Sequence, residues 1–237
     1  MKGFVFDLDN TLYDRYGTIE AFTAAYWDEF KAWVNPAYSL ERATEHLCHT
    51  ESLFILENGW KSWYEHLVSE KFFDHNNTPD YSAFDAFLRK GFSNYALNFP
   101  FTANVLVKLK ETGYKLGILT NASDVVFQNR KLDILGIRDH FDAIVISGEY
   151  AQQDCGDTYA KEYYKPNPKA FLYTAELLGV KAEELYYVGD NPIADVQGAI
   201  NSGYTPVWIK SRYPWTRTDI PMPKLSFESI ESLTELI

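Results

Sequence analysis

Asp7 and Asp9 stand one residue apart at the end of a short apolar run, Gly3-Phe4-Val5-Phe6. If that run is a strand, side chains two apart share a face. Both carboxylates then reach one place, while Leu8 points to the other side. Two converging acids imply a cation between them, because like charges at short range raise at least one pKa. Three further stretches carry groups of the same chemistry: Thr120-Asn121, Lys165-Pro166, and Gly189-Asp190 with Asp195 five residues on. Asp7, Asp9 and Asp190 are hard oxygen ligands suited to Mg²⁺, which readily shares its sphere with a phosphate oxygen. Lys165 adds a point charge that can hold the phosphate or the nucleophile. Thr120 offers a hydroxyl, and the turn after it offers backbone N–H groups. A carboxylate can attack phosphorus to form an aspartyl-phosphate. A second acid can protonate the leaving oxygen and later deprotonate water.

Taken singly, each group has a plainer reading. Asp9-Asn10 could cap a turn. Lys165 could be a solvated lysine, although Pro166 holds it extended. Asp195 could cap a helix over 196–201.

The elements that must position these groups are legible as a βα alternation from about residue 100. Ala103–Thr112 is an amphipathic helix with Gly113 as its C-cap. Lys115–Thr120 is an apolar strand. Ser123 or Asp124 caps the next helix, which ends near Gly136. Ala143–Ser147 is a third strand, and the polar stretch Ala151–Tyr164 follows. Pro168 fits the first turn of a helix running to Leu178 and Gly179. Leu185–Val188 is a strand, Ala194–Asn201 a helix, Pro206–Ile209 the last strand, and Ser226–Ile237 a short terminal helix. Residues 16 to about 95 differ. Their aromatic residues recur at helical spacings of three and four, as in Tyr26, Trp27, Phe30 and Trp33. They read as the core of a helical region broken at Asn76–Asp80. Alternating strands and helices imply a parallel, doubly wound sheet, which binds ligands beyond the carboxyl ends of its strands.

The bulk properties narrow the function classes. A chain of 237 residues suits one large domain or a core with a smaller second domain. A net charge of -11 points away from nucleic acid and from anionic membranes. Cys48 and Cys155 form no framework or metal spacing, which fits a reducing compartment. No apolar stretch is long enough to span a bilayer, and a core strand at the start leaves no room for a signal peptide. The expected location is the cytoplasm.

In order along the chain, four stretches resemble the haloacid dehalogenase (HAD) superfamily, in the phosphatase subgroup with a helical cap inserted after the first strand. Phe4-Val5-Phe6-Asp7-Leu8-Asp9-Asn10-Thr11-Leu12 is similar to its first motif and Leu119-Thr120-Asn121 to its second. Lys165-Pro166-Asn167-Pro168 is similar to the third, and Gly189-Asp190-Asn191-Pro192-Ile193-Ala194-Asp195 to the fourth. The resemblance implies an α/β fold: a doubly wound parallel sheet in a Rossmann-like core of residues 1–15 and 96–237, with a smaller α-helical cap over 16–95. It also implies roles. Asp7 is the nucleophile. Asp9 is the general acid and base, with its backbone carbonyl on Mg²⁺. Thr120 and Asn121 bind the phosphoryl group. Lys165 balances charge. Asp190 is the main metal carboxylate beside Asp7, and Asp195 orients Lys165 or a metal-bound water.

The superfamily's dehalogenases lack an acid at the position of Asp9, so its presence favours phosphate ester hydrolysis over carbon–halogen cleavage. The implied activity is Mg²⁺-dependent hydrolysis of a small phosphorylated metabolite. A phosphotransferase or phosphomutase using the same residues remains open, as does a non-catalytic phosphate-binding protein on this fold. A receiver domain fits less well, because its phospho-accepting Asp usually follows the third strand. Ala151–Tyr164 departs from the family pattern as an insertion before Lys165, either a surface loop or a lid. Lys161 is a rival to Lys165 but lacks the following proline.

Overall fold

The chain begins with strand β1 (Gly3–Phe6), then helices α1 (Arg15–Ala25), α2 (Trp27–Phe30), α3 (Leu40–Ser69) and α4 (Tyr81–Tyr95). Helix α5 (Thr102–Glu111), β2 (Lys115–Thr120), α6 (Val125–Leu135), β3 (Ala143–Ile146), α7 (Ser147–Cys155) and α8 (Pro168–Leu178) follow. The chain then forms β4 (Leu185–Gly189), a π-helical stretch (Pro192–Gln197) that runs into α9 (Gly198–Asn201), β5 (Thr205–Ile209) and β6 (Leu225–Phe227). This computed structural model describes residues 2–210, 215 and 217–237, and only the backbone of 52–59. The chain divides into two compact units, Met1–Asp14 with Asn98–Ile237, and Arg15–Leu97.

In the first unit the six strands are parallel, in the order β3-β2-β1-β4-β5-β6. This is the doubly wound α/β fold expected from the alternation. Strands covered on both faces need continuous apolar runs, and all four residues of β1 are buried. The register aligns the strand ends, with Phe6 opposite Ile118 of β2 and Val188 of β4. Asp7 continues the ladder by donating its N–H to the Val188 carbonyl at 2.8 Å. The strand order reverses between β1 and β4, the switch point where such sheets bind ligands. Val5, Leu119 and Tyr187 pack with Phe171 and Ala175 of α8 in one core cluster. Asp124, not Ser123, caps α6 by accepting the Phe127 N–H at 2.9 Å, and Gly136 closes that helix at φ 65°.

Three expectations need correction. The terminal segment is not a single helix. Its Leu225–Phe227 adds to the sheet beside β5, and a 3₁₀ helix over Ile230–Leu236 follows. The third strand stops at Ile146, and α7 starts at Ser147 and runs to Cys155 through the start of the supposed insertion. Aromatic packing tethers the rest: Tyr163 is buried, edge-on to Tyr150, which stacks on Tyr173 at 3.9 Å. The helix expected from Ala194 begins at Pro192 with a π turn, and its cap is Asn191, whose Oδ1 accepts the N–H groups of Ile193 and Ala194. Asp195 is therefore free of capping.

The second unit is helical and held by aromatic side chains. Phe30 and Phe87 stack at 4.6 Å, and Phe22 meets Phe92 edge-on at 5.2 Å. Asp80 caps α4 by accepting the Ala83 N–H. A buried ion pair, Arg15–Glu51, lies among them, with the Arg15 guanidinium 4.8 Å from the centre of the Phe92 ring. In a straight helix Thr50 and Trp63 would stand roughly 20 Å apart. Here the Trp63 indole donates to Thr50 Oγ1 at 2.9 Å, so the two ends of α3 lie side by side. No helix among the described residues is long and apolar enough to cross a membrane.

Candidate active site

The ends of β1 and β4 and the start of α8 bring Asp7, Lys165, Asp190 and Asp195 together. Lys165 Nζ donates to Asp7 Oδ1 at 2.5 Å, to Asp195 Oδ1 at 2.8 Å and to the Tyr187 hydroxyl at 2.9 Å. An ammonium has three N–H donors, so the side chain is fully engaged, with 2% of its surface exposed. Its backbone is fixed as well. Asn121 Nδ2 donates to the Lys165 carbonyl at 3.0 Å, and Asn121 Oδ1 accepts the Lys165 N–H at 2.9 Å. The rival Lys161 is exposed. Asp195 is held from both sides, accepting Lys165 on Oδ1 and the Asn191 N–H on Oδ2 at 2.9 Å. That carboxylate lies so close to β4 that a Cβ on Gly189 would meet Asp195 Oδ2 at 2.4 Å. Only glycine fits at the strand end.

Carboxylate oxygens of Asp7, Asp190 and Asp195 lie within 4.8 Å of one another. Burial, with the charges of Asp195 and Asp9 adding to it and Lys165 opposing it, pushes the Asp7 carboxyl up to about 7. Burial and then the charges of Asp195 and Asp7 push Asp190 well up too. Burial disfavours the Lys165 ammonium, but Asp195 and Asp7 outweigh it and hold the group above the ordinary lysine value. One lysine facing three acids, of which Asp7 and Asp195 are buried and Asp190 half-buried, leaves an excess of negative charge. Since Asp195 is committed to Lys165 and Asn191, Asp7 and Asp190 are the carboxylates left for a cation, and their hard oxygens fit Mg²⁺.

Asp9 points elsewhere, and its carboxylate does not join this cluster. Its Oδ1 accepts from Lys131 Nζ at 2.9 Å, and its Oδ2 lies 3.5 Å from Gln128 Nε2. The same Gln128 amide donates to Thr120 Oγ1 at 2.9 Å. Ser147 Oγ is 2.7 Å from Asn121 Oδ1 and 3.2 Å from the Thr120 carbonyl, tying the start of α7 to the end of β2. The structure thus gathers Asp7, Lys165, Asp190 and Asp195 in one cluster, with Asp9, Thr120 and Gln128 linked beside it. Sequence reasoning passed over Lys131, Gln128 and Tyr187. The available signal was a Gln and a Lys three apart on the same face of a helix as Leu132 and Leu135, and a tyrosine inside a buried strand.

A family model described as haloacid dehalogenase-like hydrolase matches residues 1–203. The chain belongs to this family. It is 39% identical over 116 residues to a glyceraldehyde 3-phosphate phosphatase of Methanopyrus kandleri, a match covering 49% of this chain and 45% of that protein. It thus spans under half the length of that relative. To the N-acylneuraminate-9-phosphatase of Rattus norvegicus it is 26% identical, covering 100% of this chain and 94% of that one. Among solved structures, a HAD phosphatase from Thermococcus onnurineus superposes with a TM-score of 0.61 at 25% identity, covering 100% and 97% of the two chains. The magnesium-bound YfnB of Bacillus subtilis shares the fold with a TM-score of 0.73 at 18% identity, covering 99% and 97%.

Proposed function

We propose that this protein is a Mg²⁺-dependent phosphatase that hydrolyses a small phosphorylated sugar-type metabolite through an aspartyl-phosphate on Asp7. The observation that carries this reading is the division of labour between the two acids of the first motif. Asp7 lies against Lys165 and Asp190, while Asp9 is held apart by Lys131. A carboxylate flanked by a cation site and an ammonium suits attack on a phosphoryl group, whose negative charge those neighbours offset. An Asp7 carboxylate oxygen bonds to phosphorus as the ester P–O bond breaks. The electron pair goes to the leaving oxygen, which takes the proton of Asp9. Water then attacks phosphorus, gives its proton to Asp9 and releases inorganic phosphate, restoring the Asp7 carboxylate. Thr120 and the backbone of Asn121 bind phosphoryl oxygens, and Lys165 stabilises their charge. Asp7, Asp190 and the Asp9 carbonyl would hold Mg²⁺, which when bound would supply the remaining positive charge.

The relatives' names support the substrate class, since both denote phosphatases of small phosphorylated metabolites. In this reading the helical unit Arg15–Leu97 is the cap that selects among them. The reading also includes a cytoplasmic setting, in keeping with a sequence of only two cysteines, Cys48 and Cys155. The test is a screen of phosphomonoesters with Mg²⁺, with Asp7→Asn as control. Turnover lowered at least on the order of 10⁴-fold by the substitution is expected, since loss of a nucleophile removes the covalent route. Equal activity in Asp7→Asn, or no turnover of any ester, refutes it. Transfer of phosphate to an added sugar in place of water makes the protein a phosphotransferase.

A further inference from the structure

We propose that Lys131 and Gln128 are positioning residues that hold the Asp9 carboxylate where it can exchange a proton with the leaving oxygen. This inference rests on the phosphohydrolase reading above.

Lys131 is an unusual lysine. It is buried to 3% exposure, an environment lysines rarely occupy without a partner of opposite charge. Its ammonium meets Asp9 Oδ1 at 2.9 Å and lies 4.9 Å from the centre of the Tyr13 ring and 5.7 Å from that of Phe127. These contacts fix the head of the side chain. Gln128 is three residues earlier on α6, on the same helix face. Its single amide links two groups of different function: Thr120 Oγ1 at 2.9 Å and Asp9 Oδ2 at 3.5 Å. The second contact is long and marks a weak bond. Helix α6 is itself fixed at both ends, by the Asp124 cap and by Gly136.

The geometry has a chemical purpose. Asp9 is followed by Asn10 at φ 56°, so it sits in a tight turn and not in the sheet. A carboxylate with a freely rotating side chain would be drawn toward a cation shared by Asp7 and Asp190. Lys131 opposes that by offering Asp9 its own positive charge on the other side. Proton transfer needs the acid within hydrogen-bond reach of the leaving oxygen, and misplacement by about 1 Å can cost 10²-fold. A buried ion pair is weak evidence for stability, so stability alone does not account for this one.

The test exploits leaving-group chemistry. The ratio kcat/KM reports the steps through formation of the aspartyl-phosphate. An alkyl phosphate needs a proton on its leaving oxygen in that step, whereas p-nitrophenyl phosphate leaves as a stable anion. With the full-length, Mg²⁺-loaded protein, Lys131→Met is expected to lower kcat/KM for an alkyl phosphomonoester about 10²-fold, and Gln128→Leu about tenfold. For p-nitrophenyl phosphate Lys131→Met should change it by about threefold or less, and Gln128→Leu, which also takes the amide from Thr120, should lower it by less than it lowers the alkyl ester. Lys131→Arg, which keeps the charge, should recover most of the alkyl activity. Equal losses on both esters in soluble, folded variants overturn the inference. Should Lys131→Met not fold, Gln128→Leu carries the same ratio test without removing a charge. A wild-type protein that hydrolyses neither ester brings down the hydrolase reading along with the inference, whereas equal losses bring down the inference alone.

Discussion

Asp7 and Asp9 are separated by a single residue on the same short stretch, yet their surroundings are opposite. Asp7 lies among Lys165, Asp190 and Asp195, where negative charge exceeds positive. Asp9 faces the α6 side, where a buried ammonium and a neutral amide receive it. Its side chain is 24% exposed against 11% for Asp7. The difference teaches how one motif yields two chemistries. The strand fixes where the acids start, and the elements packed on either side decide what each becomes. In the proposed mechanism a carboxylate short of positive charge takes a cation, which in turn offsets the charge of the phosphoryl group. A carboxylate held by a fixed cation keeps its place and can be reserved for protons.

The sharpest way to break this comparison is to remove each lysine in turn. Lys165→Met leaves Asp7 and Asp195 buried without their ammonium. Removing one partner from a buried charge network costs about 3 kcal/mol or more, and loss of the stabilising charge should lower kcat about 10³-fold on alkyl and aryl esters alike. Lys131→Met leaves an acid that water can reach, so its cost in stability should be smaller, about 1 kcal/mol. Denaturant melts of both variants in EDTA measure the contrast. Added Mg²⁺ should recover part of the stability of Lys165→Met, because a cation replaces the lost charge. Equal destabilisation by the two substitutions would show that the two sides do not differ as described.

The second test uses protons. Burial, reinforced by Asp195 and Asp9 and opposed by Lys165, places the Asp7 carboxyl at about 7, and Asp190 is raised as well. An acid whose folded pKa is above its unfolded value stabilises the metal-free fold at low pH. That contribution is lost as pH climbs from the unfolded value, 3.8, through about 7. A cation must displace these protons, so Mg²⁺ affinity should rise with pH by up to about tenfold per unit for each proton released. Titration calorimetry between pH 5.5 and 8 checks the slope. A flat profile would mean that Asp7 and Asp190 are ionised throughout.

The α/β architecture was legible because buried parallel strands must be apolar, and each such run ends abruptly in polar groups: Phe6 in Asp7, Leu119 in Thr120, Gly189 in Asp190. The same logic failed for β6. Leu225-Ser226-Phe227 is short and only half-buried at the sheet edge, so its pattern is no stronger than that of a helix turn. Helix α3 shows another limit. Spacings of three and four announce a helix but not that its ends fold side by side, which depends on contacts such as Trp63 with Thr50. At the candidate site, Asp7, Thr120, Lys165 and Asp190 were legible as candidates because they stand at strand ends or in motifs of known order. Lys131 and Gln128 sit within an ordinary helix, and their value exists only once α6 is laid beside the β1 turn. Asn121 was expected to meet the phosphoryl group, and its side chain also proves to clamp the Lys165 backbone.

The finest distinction lies in single hydrogen bonds, one on each side. Tyr187 presents its hydroxyl to Lys165 Nζ at 2.9 Å while donating to the Leu119 carbonyl at 2.9 Å. Tyr187→Phe keeps the ring against Phe171 and Tyr204 and removes only that oxygen. Lys165 then keeps Asp7 and Asp195 but has one N–H without an acceptor, in a place water does not reach. A hydrogen bond to a charged group contributes about 1.5–3 kcal/mol, so a loss near the lower figure is expected, because two carboxylates still hold the ammonium. With Lys165 acting on phosphoryl charge and not on the leaving group, as proposed, Tyr187→Phe should lower kcat/KM a few-fold and equally for alkyl and p-nitrophenyl esters. Gln128→Leu removes a single amide that Asp9 shares with Thr120 and should lower the alkyl ester more than the p-nitrophenyl ester. Steady-state rates on the two esters separate these outcomes. If Tyr187→Phe discriminated between the esters as Gln128→Leu does, Lys165 would be acting on the leaving oxygen, and the division between an Asp7 side for charge and an Asp9 side for protons would be wrong.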